Sequence, residues 1–506
     1  MISGAMLAIR RIAASPHLAA LAGLVVLGAA LRFSTLGLQS YRYDETVTVG
    51  RILQPSLFST LSAVPHSEST PPLYYLLAWL WSRPFGTGEV WMRSLSALAG
   101  TGSIVVVYLA AVTLPLPRRA GLIAAAVVAV SPVLIWFSQD ARAYALVFLL
   151  TALSFLFFAR ARRGGGRREL AWWALFSALA ITTHYFAGFV VAGEAVVLLV
   201  GRERRGAAVA VLAVAAATAL LVPIAIQQAE HGHAGWIAEQ PLGERIERAG
   251  AKLVGSDNGN EHGARQPGPI PLGVPVALAV AALALLLWRG DPEERHGAGV
   301  AAIVGGVGVG APLALALLGA DYFDGRNLLP AFVPLIVVLG AGFGVRAVGR
   351  VGLALAGAFC LCALVFTLEI DRLPRLQRED LRNAAAEVGA LWPGKAVVTI
   401  RYAVNQPLRY YLGARFAEGA LPPLREIDLV GSAQAADRNG RRLLPPAFHR
   451  VESKPVSYNF TLTRFRSRHP VLVPLRVLER GALVGGGRRA SVLVSPSPSA
   501  GTAGAR

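Results

Sequence analysis

Residues 18–45 read LAALAGLVVLGAALRFSTLGLQSYRYDE, an apolar run that ends in the first two acidic residues of the chain, Asp44 and Glu45. A bilayer core takes about 20 apolar residues of helix. The run from Leu18 to Leu36 meets that need, and Arg10 and Arg11 precede it without a persuasive cleavage site behind them. It reads as a retained signal anchor with its N-terminus in the cytoplasm. Working outward, comparable apolar runs recur at 92–114, 119–137, 143–159, 170–183, 185–200, 207–227, 271–288, 298–319, 328–345 and 350–368. The 506 residues are 54% hydrophobic and 16% charged, with mean hydropathy +0.51. Soluble chains carry about 25% charged residues, so a soluble enzyme is excluded.

The positions of the arginines set a topology. Arg118 and Arg119, then Arg160, Arg162, Arg163, Arg167 and Arg168, follow the second and fourth runs. Arg202, Arg204 and Arg205, then Arg289 and Arg295, then Arg346 and Arg350 follow the sixth, eighth and tenth. All fall on one side if 170–183 and 185–200 are a tight pair turning near His184, which makes that side cytoplasmic. The expected architecture is a polytopic α-helical membrane protein of about 11 spans, N-inside and C-outside, in the plasma (inner) membrane. The net charge of +19 then reflects topology and not nucleic-acid binding. Cys360 and Cys362 lie in an apolar stretch and read as packing residues, with no disulfide framework.

Three segments fall on the far side of the membrane. The loop 37–91 is unusually long. In it Thr70 can cap a helix, Pro71 suits a first turn, and Tyr74, Tyr75, Trp79 and Trp81 suit the lipid interface, which predicts an interfacial helix at Leu73–Trp81. Segment 230–270, rich in Gly, His and polar residues, reads as a long loop. From Asp371 onward alternation replaces continuous apolarity. A helix is expected at 378–391, a turn at Pro393-Gly394, a strand at 396–401 and a helix at 405–412. Strands are expected near 447–452, 456–465 and 471–478, giving a small extracytoplasmic α/β domain over 371–484 behind a membrane domain over 1–370. From Asp371 to residue 506 the chain carries 22 Lys and Arg against 10 Asp and Glu, a surface suited to anionic lipid headgroups or a phosphorylated substrate. Residues 485–506, dense in Gly, Ser and Pro, read as a disordered tail.

The chemistry has few places to sit. Asp44 and Glu45, just past the first span, supply a carboxylate pair able to act as general base on an acceptor hydroxyl; the plain alternative is a solvated loop pair. Arg142, in Ser138-Gln139-Asp140-Ala141-Arg142-Ala143-Tyr144, and Arg326, in Asp324-Gly325-Arg326-Asn327-Leu328-Leu329-Pro330, end helices on that side. Their guanidinium forks suit a phosphate, or snorkel to headgroups. His184, at membrane depth beside Tyr185, is a functional candidate or an interhelical hydrogen-bonding group. His66 and Glu68 could bind a divalent metal together with His184.

These residues carry a resemblance. Asp44-Glu45, then Thr70-Pro71-Pro72-Leu73-Tyr74-Tyr75, then Arg93-Ser94-Leu95-Ser96-Ala97 resemble the GT-C membrane glycosyltransferases. Within them the chain is similar to the dolichyl-phosphate-mannose protein mannosyltransferase and aminoarabinose transferase group, as a bacterial member. Ser131-Pro132 through Tyr144, Thr183-His184-Tyr185-Phe186 and Arg326-Asn327-Leu328-Leu329-Pro330 match its further elements in order, and Arg378-Glu379-Asp380-Leu381-Arg382 is similar to its soluble end. Thr70 stands where the group often has His or Lys, and Asn327 where it often has Tyr.

The resemblance implies a polyprenyl-phosphate sugar donor and transfer to an extracytoplasmic glycan, lipid or protein, with no cofactor required. It implies Asp44 as base, Glu45 as its orienting neighbour or a ligand for the acceptor, Arg142 and Arg326 on the donor phosphate, and Tyr144 and His184 as helpers. Displacement at the anomeric carbon would invert it. The rival reading is a polyprenyl-lipid flippase or transporter; it predicts internal repeats, which the sequence does not show.

Overall fold

The computed structural model describes residues 15–201, 203–232, 234–257, 270–401, 404–487 and 489–496. Arg10, Arg11, Arg202, the stretch 258–269 of the expected loop and residues 497–506 of the expected tail lie outside them. The chain divides into two compact units, one of Met1–Leu36 with Ile52–Leu376 and one of Gly37–Arg51 with Gln377–Arg506. Residues 37–51, expected with the membrane domain, thus cluster with the C-terminal unit.

The first unit is helical. Six of its helices are long and apolar enough to cross a membrane: Pro16–Phe33, Glu89–Thr113, Tyr144–Thr183, Pro292–Leu317, Leu329–Val348 and Arg350–Arg372. Two bent pairs, Arg118–Val130 with Pro132–Ser138 and Arg204–Ala219 with Val222–His231, raise the number to eight if each is one span. Ala187–Leu199 and Gly273–Arg289 are apolar but shorter. The protein is an integral membrane protein, and length with composition alone does not establish the expected count of about eleven spans.

Tyr144–Thr183 is one helix by name only. Its 40 residues would extend roughly 60 Å, twice a bilayer core. Gly164 (φ 95°) and Gly166 (φ 67°) take backbone conformations open to glycine and reverse the chain. Ser154 Oγ then lies 2.8 Å from Ser177 Oγ, and the Phe157 and Phe176 rings stack at 5.4 Å, so the halves Tyr144–Arg160 and Gly166–Thr183 run side by side.

Several buried polar groups of this unit are gathered into hydrogen-bonded clusters, as a low-dielectric interior favours. The most demanding is Arg32, fully buried near the end of Pro16–Phe33. Its Nη2 donates to Val128 O (2.8 Å), its Nη1 to Ala129 O and Gly28 O (both 3.0 Å), and its Nε to Ser138 Oγ (3.1 Å). The reason is local sequence. Pro132 has no N–H to offer Val128 O, so the helix breaks by 58° there and leaves carbonyls that a guanidinium fork can pair. Gly100 makes room, since a Cβ there would stand 2.0 Å from Ser138 Oγ and 3.1 Å from Arg32 Nε. A second cluster joins three helices: Glu194 accepts from Ser154 Oγ (2.6 Å) and Trp173 Nε1 (2.7 Å).

The expected long loop 230–270 contains a helix, Leu242–Leu253. Its low apolar content hid it, because its inward face carries Arg245 and Lys252 instead of hydrophobes; both are buried. The interfacial helix runs Leu73–Phe85 with Pro72, not Thr70, at its N-cap. Thr70 Oγ1 instead meets Tyr75 Oη at 3.0 Å.

The second unit holds a six-stranded sheet of order β2-β6-β1-β3-β5-β4: β1 Lys395–Ile400, β2 Arg415–Phe416, β3 Leu424–Gly431, β4 His449–Pro455, β5 Thr461–Val471 and β6 Ala490–Val494. β1 and β3 are parallel; the other pairings are antiparallel. Period-2 alternation sends Ala396, Val398, Ile427 and Leu429 to one face with Ala436, and Val397 and Val430 to the other with Leu381 and Leu408. Helices Leu381–Val388 and Asn405–Leu412 cover the second face, and Ala433–Leu443 the first.

Four sequence expectations change here. The first helix is shorter than 378–391; β3, buried along most of its length, reads as a continuous run and was not expected. Residues 471–478 hold a short helix, Leu475–Leu478, rather than a strand. Within the stretch expected to be disordered, β6 pairs with β1 from Ala396↔Val494 to Ile400↔Ala490.

Candidate functional site

In the helical unit the site grows from the break at Pro132. The helix Pro132–Ser138 ends at Gln139, whose Nε2 donates to Thr35 Oγ1 (2.6 Å) and Leu31 O (3.1 Å). With Arg32 on Ser138, the start of the turn 139–143 is fastened to the first helix and the residues just after it. Arg142 N–H closes the turn on Asp140 O (2.8 Å), and Ser96 Oγ donates to Arg142 O (3.4 Å). Arg142 is therefore aimed by its backbone before its side chain meets anything.

Its side chain meets Glu68. Nη1 donates to Oε1, Nη2 donates to Oε2 at 2.7 Å, and both side chains are about 7% exposed, a buried bidentate pair. Glu68 stands just past Leu57–Ser67, where the backbone turns extended before Pro71 and Pro72. Tyr75, fully buried, lies within electrostatic reach of Arg142, Glu68 and Tyr144, and burial pushes its phenol well above the usual range.

His184 takes its place after Thr183, with the Tyr144 ring 5.9 Å away and its Nδ1 accepting from Phe186 N–H (3.3 Å), and Asn327, Arg326 and Arg142 lie within its electrostatic reach. Arg326 stacks over Trp236 at 4.7 Å and faces Asp324 at 3.9 Å. Its loop is pinned: Arg245 grips Asp321 through Nη1 (2.7 Å) and Nη2 (2.6 Å) and reaches Phe323 O (2.6 Å). Those bonds hold the Asp321 carboxyl below its ordinary range. Gln228 ties two further strands of the site, donating to Thr70 O (2.8 Å) and accepting from Tyr185 Oη (2.9 Å). The structure thus gathers Arg142, Arg326, Tyr144 and His184, four residues expected from the sequence. It brings in Glu68, expected as a metal ligand, on Arg142, and adds Tyr75, Gln228, Trp236 and Asn327. Of these only the Glu68–Arg142 opposite-charge pairing had a readable chemistry, and its 74-residue separation concealed it.

The metal expectation fares differently. His66 Nδ1 lies 3.3 Å from His231 Nε2, whose own Nδ1 donates to Gln227 O (2.7 Å), and Glu68 is on Arg142. Among the described residues no group of three or more His, Cys, Asp or Glu comes together to hold a metal. His66, Glu68 and His184 do not form the expected ligand set.

In the second unit Asp44 and Glu45 open the helix Tyr43–Val47, where negative charge complements the helix dipole. Glu45 is fully buried; it accepts from Arg42 N–H (3.1 Å) and lies 3.5 Å from Arg378. Asp44 keeps a side chain 20% exposed, 3.7 Å from Arg42. The segment is sewn to its own unit: Arg378 N–H donates to Gln39 Oε1 (2.8 Å), Leu381 N–H to Ser40 Oγ (3.0 Å) and Tyr41 N–H to Tyr411 Oη (2.7 Å). The two carboxylates therefore have different surroundings. Glu45 fixes the turn, and Asp44 is the one presented.

Known proteins share parts of this pattern. Residues 69–226 match the family model described as dolichyl-phosphate-mannose-protein mannosyltransferase. The chain is similar to ArnT from Cupriavidus metallidurans bound to undecaprenyl phosphate (TM-score 0.52, 12% identity, covering 87% of this chain and 97% of that one). The same protein in the apo state gives TM-score 0.53 with the same identity and coverage. The Archaeoglobus fulgidus oligosaccharyltransferase tethered with an acceptor peptide aligns at TM-score 0.39 and 14% identity, over 70% of this chain and 54% of its own. No curated protein sequence matches. The chain thus shares its fold with ArnT from Cupriavidus metallidurans, and its residues 69–226 are similar to the mannosyltransferase family model.

Proposed function

We propose that this protein is an inverting glycosyltransferase that moves a sugar from a polyprenyl-phosphate donor to an acceptor hydroxyl on the extracytoplasmic side of the plasma membrane. The observation that carries the reading is the cationic site of the GT-C-fold unit, where Arg142 and Arg326 act on one histidine amid Tyr75, Tyr144 and Trp236. Undecaprenyl phosphate bound to the similarly folded ArnT supports a polyprenyl phosphate as its ligand.

In this reaction the acceptor oxygen attacks the anomeric carbon as its proton passes to Asp44, and the carbon–oxygen bond to phosphate breaks with its electron pair on the phosphate. The leaving group is a stable anion, so a base and positive charge suffice; no acid is called for. Arg326 and Arg142 receive the developing charge, and His184 and Asn327 orient the phosphate oxygens. Glu45, held by Arg378, keeps the turn that presents Asp44. The orientation, with N-terminus cytoplasmic and sheet unit outside, follows the arginine distribution. The test is sugar transfer from a panel of polyprenyl-phosphate sugars by purified protein in lipid, wild type beside Asp44→Asn. Transfer that collapses in the variant, with folding and donor binding kept, is expected. No turnover of any donor, with lipid moved across the bilayer equally by both, would establish the flippase instead.

A further inference from the structure

The carboxylate of Glu68 already occupies the fork that a phosphate would use on Arg142. We propose that Glu68 is a product-release residue, which yields Arg142 to the donor phosphate and reclaims it to expel the polyprenyl phosphate after transfer. The inference rests on the reading of Arg142 and Arg326 as the phosphate seat.

Three features support it. The first is which partner can move. Arg142 is fixed through its turn and Ser96, whereas Glu68, its N–H on Val64 O (3.1 Å), begins the non-helical stretch between Leu57–Ser67 and Leu73–Phe85 and can leave the fork by rotating its side chain. The second is fit, because the carboxylate meets the guanidinium through two parallel bonds, the geometry in which a phosphate replaces it atom for atom. The third is charge. A donor phosphodiester carries one negative charge, whereas the released monoester carries close to two near neutral pH, its second pKa being about 6. Two arginines therefore hold the product more tightly than the donor. A seat with no competitor would retain its product, and Glu68 is a competitor tethered in place and desolvated with its partner.

The experiment is equilibrium binding of undecaprenyl phosphate to the purified full-length protein in detergent, with its inhibition of multiple-turnover transfer, for wild type, Glu68→Gln, Glu68→Asp and Arg326→Gln. In Glu68→Gln, binding should tighten by about tenfold or more, the scale of losing one charge-assisted competitor. Its kcat should fall under multiple turnover while the first turnover keeps its rate, a split that a merely structural residue would not give. Glu68→Asp, whose shorter arm weakens the hold on the fork, should lie between the two, and gives the same sign should the Gln variant fail to fold. Equal or weaker binding in both Glu68 variants, with binding lost in Arg326→Gln, would overturn the release role and leave the phosphate seat standing. Absence of binding by the wild type would overturn both.

Discussion

Replacing Arg32 by lysine keeps the charge and most of the length, yet it should be among the most damaging single changes in the helical unit. Arg32 uses three nitrogens to reach four oxygens: Val128 O, Ala129 O, Gly28 O and Ser138 Oγ. A lysine places one nitrogen there and cannot span the fork. It leaves at least one carbonyl beside Pro132 without a partner, at about 1–3 kcal/mol. It also leaves a buried cation with fewer acceptors, a defect that costs about 3–5 kcal/mol when a buried charge loses its pairing. Arg32→Met loses the carbonyl partners but also removes the buried charge, so its net loss should be smaller, roughly 2 kcal/mol. The counterintuitive order, lysine worse than methionine, is the prediction. Thermal unfolding of the purified protein in detergent should show a midpoint lowered by on the order of 5 °C or more for lysine. A lysine variant as stable as wild type, or more stable than the methionine variant, would refute the reasoning that the fork pairs the broken helix.

Two further outcomes follow from the second unit and the Arg326 loop. Arg378→Gln takes a cation from the fully buried Glu45 and should destabilise the sheet unit by up to about 3–5 kcal/mol, with Glu45→Gln in the same chain recovering part; chemical unfolding of the two variants checks it. Asp321 is held below its ordinary range by the hydrogen bonds of Arg245, so its contribution is complete above the unfolded value of about 3.9 and fades as pH falls through the lower folded one. The stability difference between wild type and Asp321→Asn should accordingly shrink on acidification below about pH 4; a difference that grows there would contradict the sign.

Much of the fold was legible because apolar runs and arginine placement are properties of local sequence. Each expected span between Leu18 and Leu368 overlaps a helix, and Asn405–Leu412 begins and ends where its pattern does. What escaped were elements whose signals are not periodic. β3 lies between β1 and β5, buried on both faces, so it shows no alternation. The helix Leu242–Leu253 turns cations inward to grip Asp321 and to pack Lys252 under Gly325. The candidate site divides the same way. Arg142, Arg326, Tyr144 and His184 were readable as charge and aromatics at helix ends. The partners that give them geometry (Glu68 for Arg142, Trp236 for Arg326, Arg378 for Glu45) are distant in sequence, and spacing cannot register a contact made by folding.

The most direct test of the central claim is to follow a polyprenyl-phosphate sugar labelled in both sugar and lipid, and to determine the product's anomeric configuration by NMR. One polyprenyl phosphate should be released for each sugar transferred, with the anomeric centre inverted. Retained configuration, or donor recovered intact on the opposite side of the bilayer, would contradict it.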